Sequence, residues 1–239
     1  MQDVIANQTP APATEAPAAP SMSALGTLLG VFTNPRRTFE ALAVRPRILA
    51  PIVAVLICQL LFGIVIARTD IIKNDALAKL EQRGAPQEQI DATERVLESP
   101  ARYLFTLLGA PVVVFILLFS AGLLYFVANL MMGARLRYTH YLSIAAYGGV
   151  IAMVDQLAQL LLAVQRGTFH VHLGVGAFLG DELTAPLRML DAATDPLLLW
   201  STAIEALGVA VMARKRFGFG VLAVAPWFVA RTLLAAFGR

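Results

Sequence analysis

The sequence predicts an all-α membrane protein, a five-transmembrane-helix bundle preceded by N-terminal interfacial amphipathic helices. Three observations predict it. Hydrophobic residues make up 58% of the chain and charged residues 15%, whereas a soluble domain runs nearer half apolar and a quarter charged. The mean hydropathy is +0.69, more than a chain of this size can hide in its own interior. The apolar residues gather in five stretches of a length that crosses about 30 Å of hydrocarbon as helix. No alternating ten-residue segments of the kind a β-barrel needs are present.

Residues 1–22 come first, rich in Pro, Ala, Thr and Gln and lacking aromatics. They have no basic start and no continuous apolar core, so they do not read as a signal peptide. They bury too little surface to order themselves and are expected to be a disordered tail. Residues 23–239 form the second unit. Within it, 23–45 reads as two short interfacial helices. Leu25, Leu28, Leu29 and Phe32 recur at i, i+3, i+4 and i+7, on one helix face. Asn34 stands as an N-cap with Pro35 at the first helical position. Phe39 and Leu42 then continue an apolar stripe away from Arg36, Arg37 and Glu40.

The spans follow in order. Residues 48–67 are interrupted only by Gln59, and residues 104–132 carry Pro111. Residues 141–164 contain Asp155, Gln156 and Gln159, residues 197–213 contain Glu205, and residues 217–237 contain Arg231. Helices are required because lipid offers no partner for backbone polar groups. Between the first two spans, 68–102 reads as a helical hairpin broken at Gly84 and Pro86.

Charge sets the orientation, since Lys and Arg are retained on the cytoplasmic side. Arg36, Arg37, Arg45 and Arg47 precede the first span. Arg135 and Arg137 lie between the second and third, and Arg214, Lys215 and Arg216 between the fourth and fifth. Glu40 is the one acid near these nine residues. Residues 68–102 instead mix six basic side chains with seven acidic ones, and residues 165–195 set Arg166 and Arg188 against four acids. This alternation predicts a cytoplasmic N-terminus and a C-terminus outside, in a bacterial inner membrane. The nine basic residues are expected at the level of anionic headgroups, as topology signal and lipid contact.

An ionisable group inside a span costs about 2.5–3.5 kcal/mol on insertion scales and calls for a partner. Asp155, Gln156, Gln159, Glu205 and Arg231 are therefore the candidate intramembrane polar network. Asp155 and Arg231 each lie roughly 21 Å from the basic end of their spans at 1.5 Å per residue, so a buried bridge between them is expected. Glu205 lies shallower, at roughly 12 Å. Ala145/Gly149, Gly148/Ala152 and Ala206/Ala210 have the spacing of close helix contacts.

No enzyme signature is found. Gly-x-Ser-x-Gly is absent, and the glycines at 174, 176 and 180 are not followed by the Lys-Ser/Thr of a phosphate loop. His170 and His172 alone do not make a metal site. The single cysteine, Cys58, lies in an apolar run and reads as a small hydrophobe. Catalytic, cofactor and metal residues are not expected. The basic clusters are divided among membrane loops, which argues against nucleic acid.

From about Leu25 to Phe237 the chain resembles a bacterial member of the Yip family, the Ypt-interacting membrane proteins. The resemblance rests on Asn34-Pro35 with Thr38-Phe39, on Pro46 and Pro51 at the first span, and on the central Gly133, Tyr138, Tyr141, Ser143 and Tyr147. It ends with Asp195-Pro196 and Trp200. It implies a five-helix bundle with a cytoplasmic N-terminus, acting as a membrane organiser or interaction protein. The Asp-Leu-Tyr-Gly-Pro type motif of eukaryotic relatives is absent from the N-terminal tail, so a small GTPase partner is not expected. The expected partners are membrane lipids, other membrane proteins or further copies of the chain. The alternative is a small transporter or channel using the intramembrane carboxylates.

Overall fold

The computed structural model describes residues 23–168, 171–180 and 183–237. The tail read at 1–22 lies outside them. The described chain is helical throughout. Helices α1 (Ala24–Thr33) and α2 (Pro35–Val44) lead into α3 (Leu49–Arg68). Helices α4 (Ile71–Gln82) and α5 (Gln87–Glu98) form a hairpin before α6 (Ala101–Tyr125). A π turn (Phe126–Met131) extends α6, and α7 (Tyr138–Arg166) follows. A short 3-10 turn (Val175–Phe178) precedes α8 (Ala185–Thr194), α9 (Pro196–Met212) and α10 (Phe217–Phe237).

The helix ends follow local chemistry. Ser23 caps α1 by accepting from the Gly26 amide, and Asn34 caps α2 by accepting from Arg37 with Pro35 next to it. Asp195 caps α9 through the amides of Leu197 and Leu198. Gly167 ends α7 at φ 70°, a left-handed conformation that glycine adopts without steric cost. At the end of α9 the same role falls to Arg214, at φ 53°.

Four helical stretches are long and apolar enough to cross a membrane: Leu49–Arg68, Arg102–Met131, Tyr138–Arg166 and Phe217–Ala235. A fifth arises if α8 and α9, bent by 57° at Asp195, count as one broken span. The surface suits lipid. On α3, Leu49, Val53, Ile57 and Leu61 repeat every fourth residue and all point outward, more than half exposed. In water such a face would be an aggregation liability.

Contacts fix the helix directions. Gln59 meets Gln156, and a Cβ on Gly149 would touch Val55, so α3 and α7 run parallel. A Cβ on Gly148 would overlap the Glu205 carboxylate, and one on Gly208 would lie 3.1 Å from Ile144, so α9 runs antiparallel to α7. Gly220 of α10 lies so close to α9 that a Cβ there would overlap the Ala206 carbonyl. Small residues thus set these crossings, as packing in lipid favours.

The N-terminal pair packs into the bundle. Val31 and Phe39 are 0% exposed and Leu42 1%, all inside the main core with Tyr141, Ile144, Tyr147 and Val209. Leu25 and Leu29, on the apolar face read from the sequence, face outward at 72% and 67%. The buried side of α1 is Thr27, Gly30 and Val31. The reason is physical: lipid accepts leucines readily, so the small-residue side is free to pack against the bundle. The buried Tyr147 hydroxyl donates to Thr27 Oγ1 at 2.8 Å, which fixes α1 to α7.

Candidate functional site

Two polar regions stand out: one at the end of the bundle where the basic turns collect, the other inside it. The first is built by three chain segments. His140 Nε2 lies 3.2 Å from the Ala43 carbonyl oxygen, and the Ser143 hydroxyl donates to the Arg47 carbonyl at 3.2 Å. These bonds hold the end of α2 against the start of α7. The antiparallel α9 brings 214–216 to the same end. Arg36, Arg37, Arg45, Arg47, Arg135, Arg137, Arg214, Lys215 and Arg216 therefore share one end of the molecule. They do not share one site. Arg36, Arg214, Lys215 and Arg216 line a cavity of about 760 Å³ between α2, α9 and the start of α10. Arg37, Arg45, Arg47, Arg135 and Arg137 do not line it. Glu40, on the cavity wall, is already engaged by Arg36, with Nε 3.2 Å from its Oε1. Leu207, Val211 and Phe217 complete an apolar side.

The second region lies among α3, α6, α7, α9 and α10. Ser120, Gln156, Glu205 and Arg231 line a cavity of about 150 Å³ there with Trp227. Glu205 is 4% exposed, and its Oε2 has no hydrogen-bond partner among the described residues. The Arg231 guanidinium sits over the Trp227 ring at 6.0 Å. A cavity of this size with several polar walls has room for water.

Asp155 accepts from Gln159 Nε2 at 2.9 Å on its own helix, and Arg231 shares its cavity with Glu205. Axial depth places Asp155 and Arg231 at one level, and the cavity adds Glu205 beside Arg231. Arginine also reaches back along its helix toward the N-terminal turn, here toward Trp227 and the level of Glu205. Gln156 donates to Gln59 Oε1 at 3.0 Å, joining α7 to α3. Gln59 was visible in the sequence as the lone polar break in its span; Ser120 gave no signal.

At the opposite end residues 172–176 turn around Asp191. Asp191 Oδ1 accepts from the Gly174 and Gly176 amides at 3.1 and 2.9 Å, and its Oδ2 lies 2.8 Å from His172 Nδ1. A Cβ at either glycine would crowd Asp191, which explains the residue type. Among the described residues no group of three or more His, Cys, Asp and Glu is placed to hold a metal.

Residues 29–237 match the family model described as the Yip1 domain. The chain belongs to the Yip1-domain family. Several apolar helices make this Yip1 domain a multi-pass membrane protein. No curated protein and no solved structure matches it. The family match begins within α1 and runs through α10, so it includes both cavities and the buried N-terminal pair.

Proposed function

We propose that this Yip1 domain is a non-catalytic integral protein of the bacterial cytoplasmic membrane that organises lipid and protein neighbours at its basic end. That end faces the cytoplasm, with the C-terminus outside. The observation that carries the reading is the collection of basic residues from three separate segments at one end of a bundle whose sides are apolar. Cations held at headgroup level each contribute about 1 kcal/mol of attraction to an anionic leaflet. The test is capture of the full chain from native membranes with a membrane-permeant crosslinker, followed by identification of bound lipids and proteins. Enrichment of anionic lipid or of specific membrane proteins over an unrelated five-span protein is the expected result. Reporter fusions at the C-terminus are expected to register outside, and a cytoplasmic signal there would overturn the orientation.

The second reading is a small transporter or channel. It is supported by the cavity that Glu205, Arg231, Gln156 and Ser120 share, since intramembrane carboxylates often mark ion or proton routes. The purified chain in sealed vesicles distinguishes the two. Proton or cation flux that requires the protein and is abolished by Glu205→Gln would favour transport; vesicles no leakier than empty ones favour the organiser.

A further inference from the structure

We propose that the cavity between α2, α9 and the α9–α10 turn is a built binding site for one anionic glycerophospholipid. Its phosphate would be held by Arg36, Arg214, Lys215 and Arg216. This rests on the membrane-organiser reading and names the ligand for its basic end.

Four observations converge. The volume, about 760 Å³, lies in the range of about 300–1,000 Å³ typical of small-ligand sites. The walls carry four cations and one carboxylate, and that carboxylate, Glu40, is spent on Arg36. No ion pair engages Arg214, Lys215 or Arg216 among the described residues, so the cavity is net positive and Glu40 offsets only Arg36. The cavity opens at the start of α10, where first-turn amides favour an anion. Leu207, Val211 and Phe217 give it an apolar wall beside the cations. A free phosphate has no use for such a wall; a lipid bearing acyl chains does.

The backbone supplies an independent argument. Arg214 closes α9 in the left-handed region, at φ 53°. Its amide bonds to the Val211 carbonyl, and the Lys215 amide bonds to that of Ala210. Glycine is the residue that suits this position. Topology alone does not explain an arginine there, because the charge would signal as well one residue away. Arg135 and Arg137 serve that signal at the same end and do not line this cavity. A non-glycine residue kept in a sparsely populated conformation points to a use for its side chain.

The full chain, purified in a neutral detergent, is tested by native mass spectrometry with phosphatidylglycerol and, separately, phosphatidylcholine. The wild type is expected to retain phosphatidylglycerol preferentially. Arg214→Gly is expected to lower that retention about five-fold, the value of one surface cation, without lowering the melting temperature. The double variant Arg135→Gln/Arg137→Gln, which removes more charge from the same end, is expected to change retention less than two-fold. Equal loss in the double variant would reduce the site to diffuse surface charge. No preference in the wild type, or displacement of the lipid by inorganic phosphate at matched concentration, would overturn the lipid assignment. Should these fail while crosslinking still captures membrane neighbours, the organiser reading stands and the site falls.

Discussion

Two pairs of short helices flank the spans, and they are held by different physics. Helices α1 and α2 have ten residues each; α4 and α5 have twelve. The first pair buries Val31, Phe39 and Leu42 in the main core and ties Thr27 to Tyr147. The second pair buries only Ile71. Its two helices are joined by Lys73, whose ammonium lies 2.9 Å from Glu94 and also bonds Glu98. Hydrogen bonds that it donates to Glu98 and then Glu94 hold the Lys73 ammonium well above the ordinary lysine range. It stays charged through neutral pH, and that pairing would be lost only as pH rises past its raised value. The lesson is that amphipathic pattern alone does not reveal attachment. Helix α5 is strongly amphipathic yet buries no residue, whereas α1 presents its leucines outward and is anchored by its small side.

The comparison breaks first at Phe39. Phe39→Ala empties a site enclosed by α2, α7 and α9. Loss is expected near the lower end of about 3–5 kcal/mol, because lipid already offers apolar surroundings to the unpacked helix. Thermal unfolding in detergent measures it, and an unchanged transition would show that α2 is only peripheral. Gly208→Ala comes next. A Cβ there would lie 3.0 Å from the Phe39 ring, and an aromatic ring yields poorly, so about 1–3 kcal/mol is expected by the same assay. Restoration of stability by combining it with Phe39→Leu would tie the loss to that contact.

Tyr147→Phe sharpens the other attachment. It removes the hydroxyl that donates to Thr27 and is expected to cost about 0.6–1 kcal/mol. Faster hydrogen exchange confined to α1 is the accompanying signature; a uniform change along α7 would contradict it. Lys73→Ala is expected to leave the unfolding transition where it is, because an exposed ion pair adds little. A fall of several degrees would mean that α4 and α5 contribute to the bundle after all.

Much of the fold was legible in the sequence because hydropathy and helix caps are local properties. Asn34 followed by Pro35 announced the break between α1 and α2 from two adjacent residues. Gln59 was visible as the lone polar break in its span, but its contact with Gln156 was not. The candidate site was legible in its residue types and not in its pairings. Asp155 and Arg231 matched in depth, and the placing of Glu205 in the same cavity as Arg231 was not visible from spacing. That depends on how far each helix is rotated about its axis, which no spacing within a single span reports. Glu205 finds its place because Gly148 on the facing helix leaves room for its carboxylate, a relation between residues 57 positions apart.

By itself the sequence determined that this chain belongs in a bilayer, which stretches form its long apolar helices, and that its basic turns alternate with acidic ones. Each follows from the composition of a contiguous stretch meeting water or hydrocarbon. The tertiary structure decided that α1 and α2 enter the core, that Glu205 and Arg231 share a cavity, and that four of nine basic residues surround another. Those outcomes depend on close approach between distant segments at Gly148, Gly208 and Gly220. Such contacts are set by the mutual register and rotation of packed helices, and one-dimensional spacing carries no measure of either.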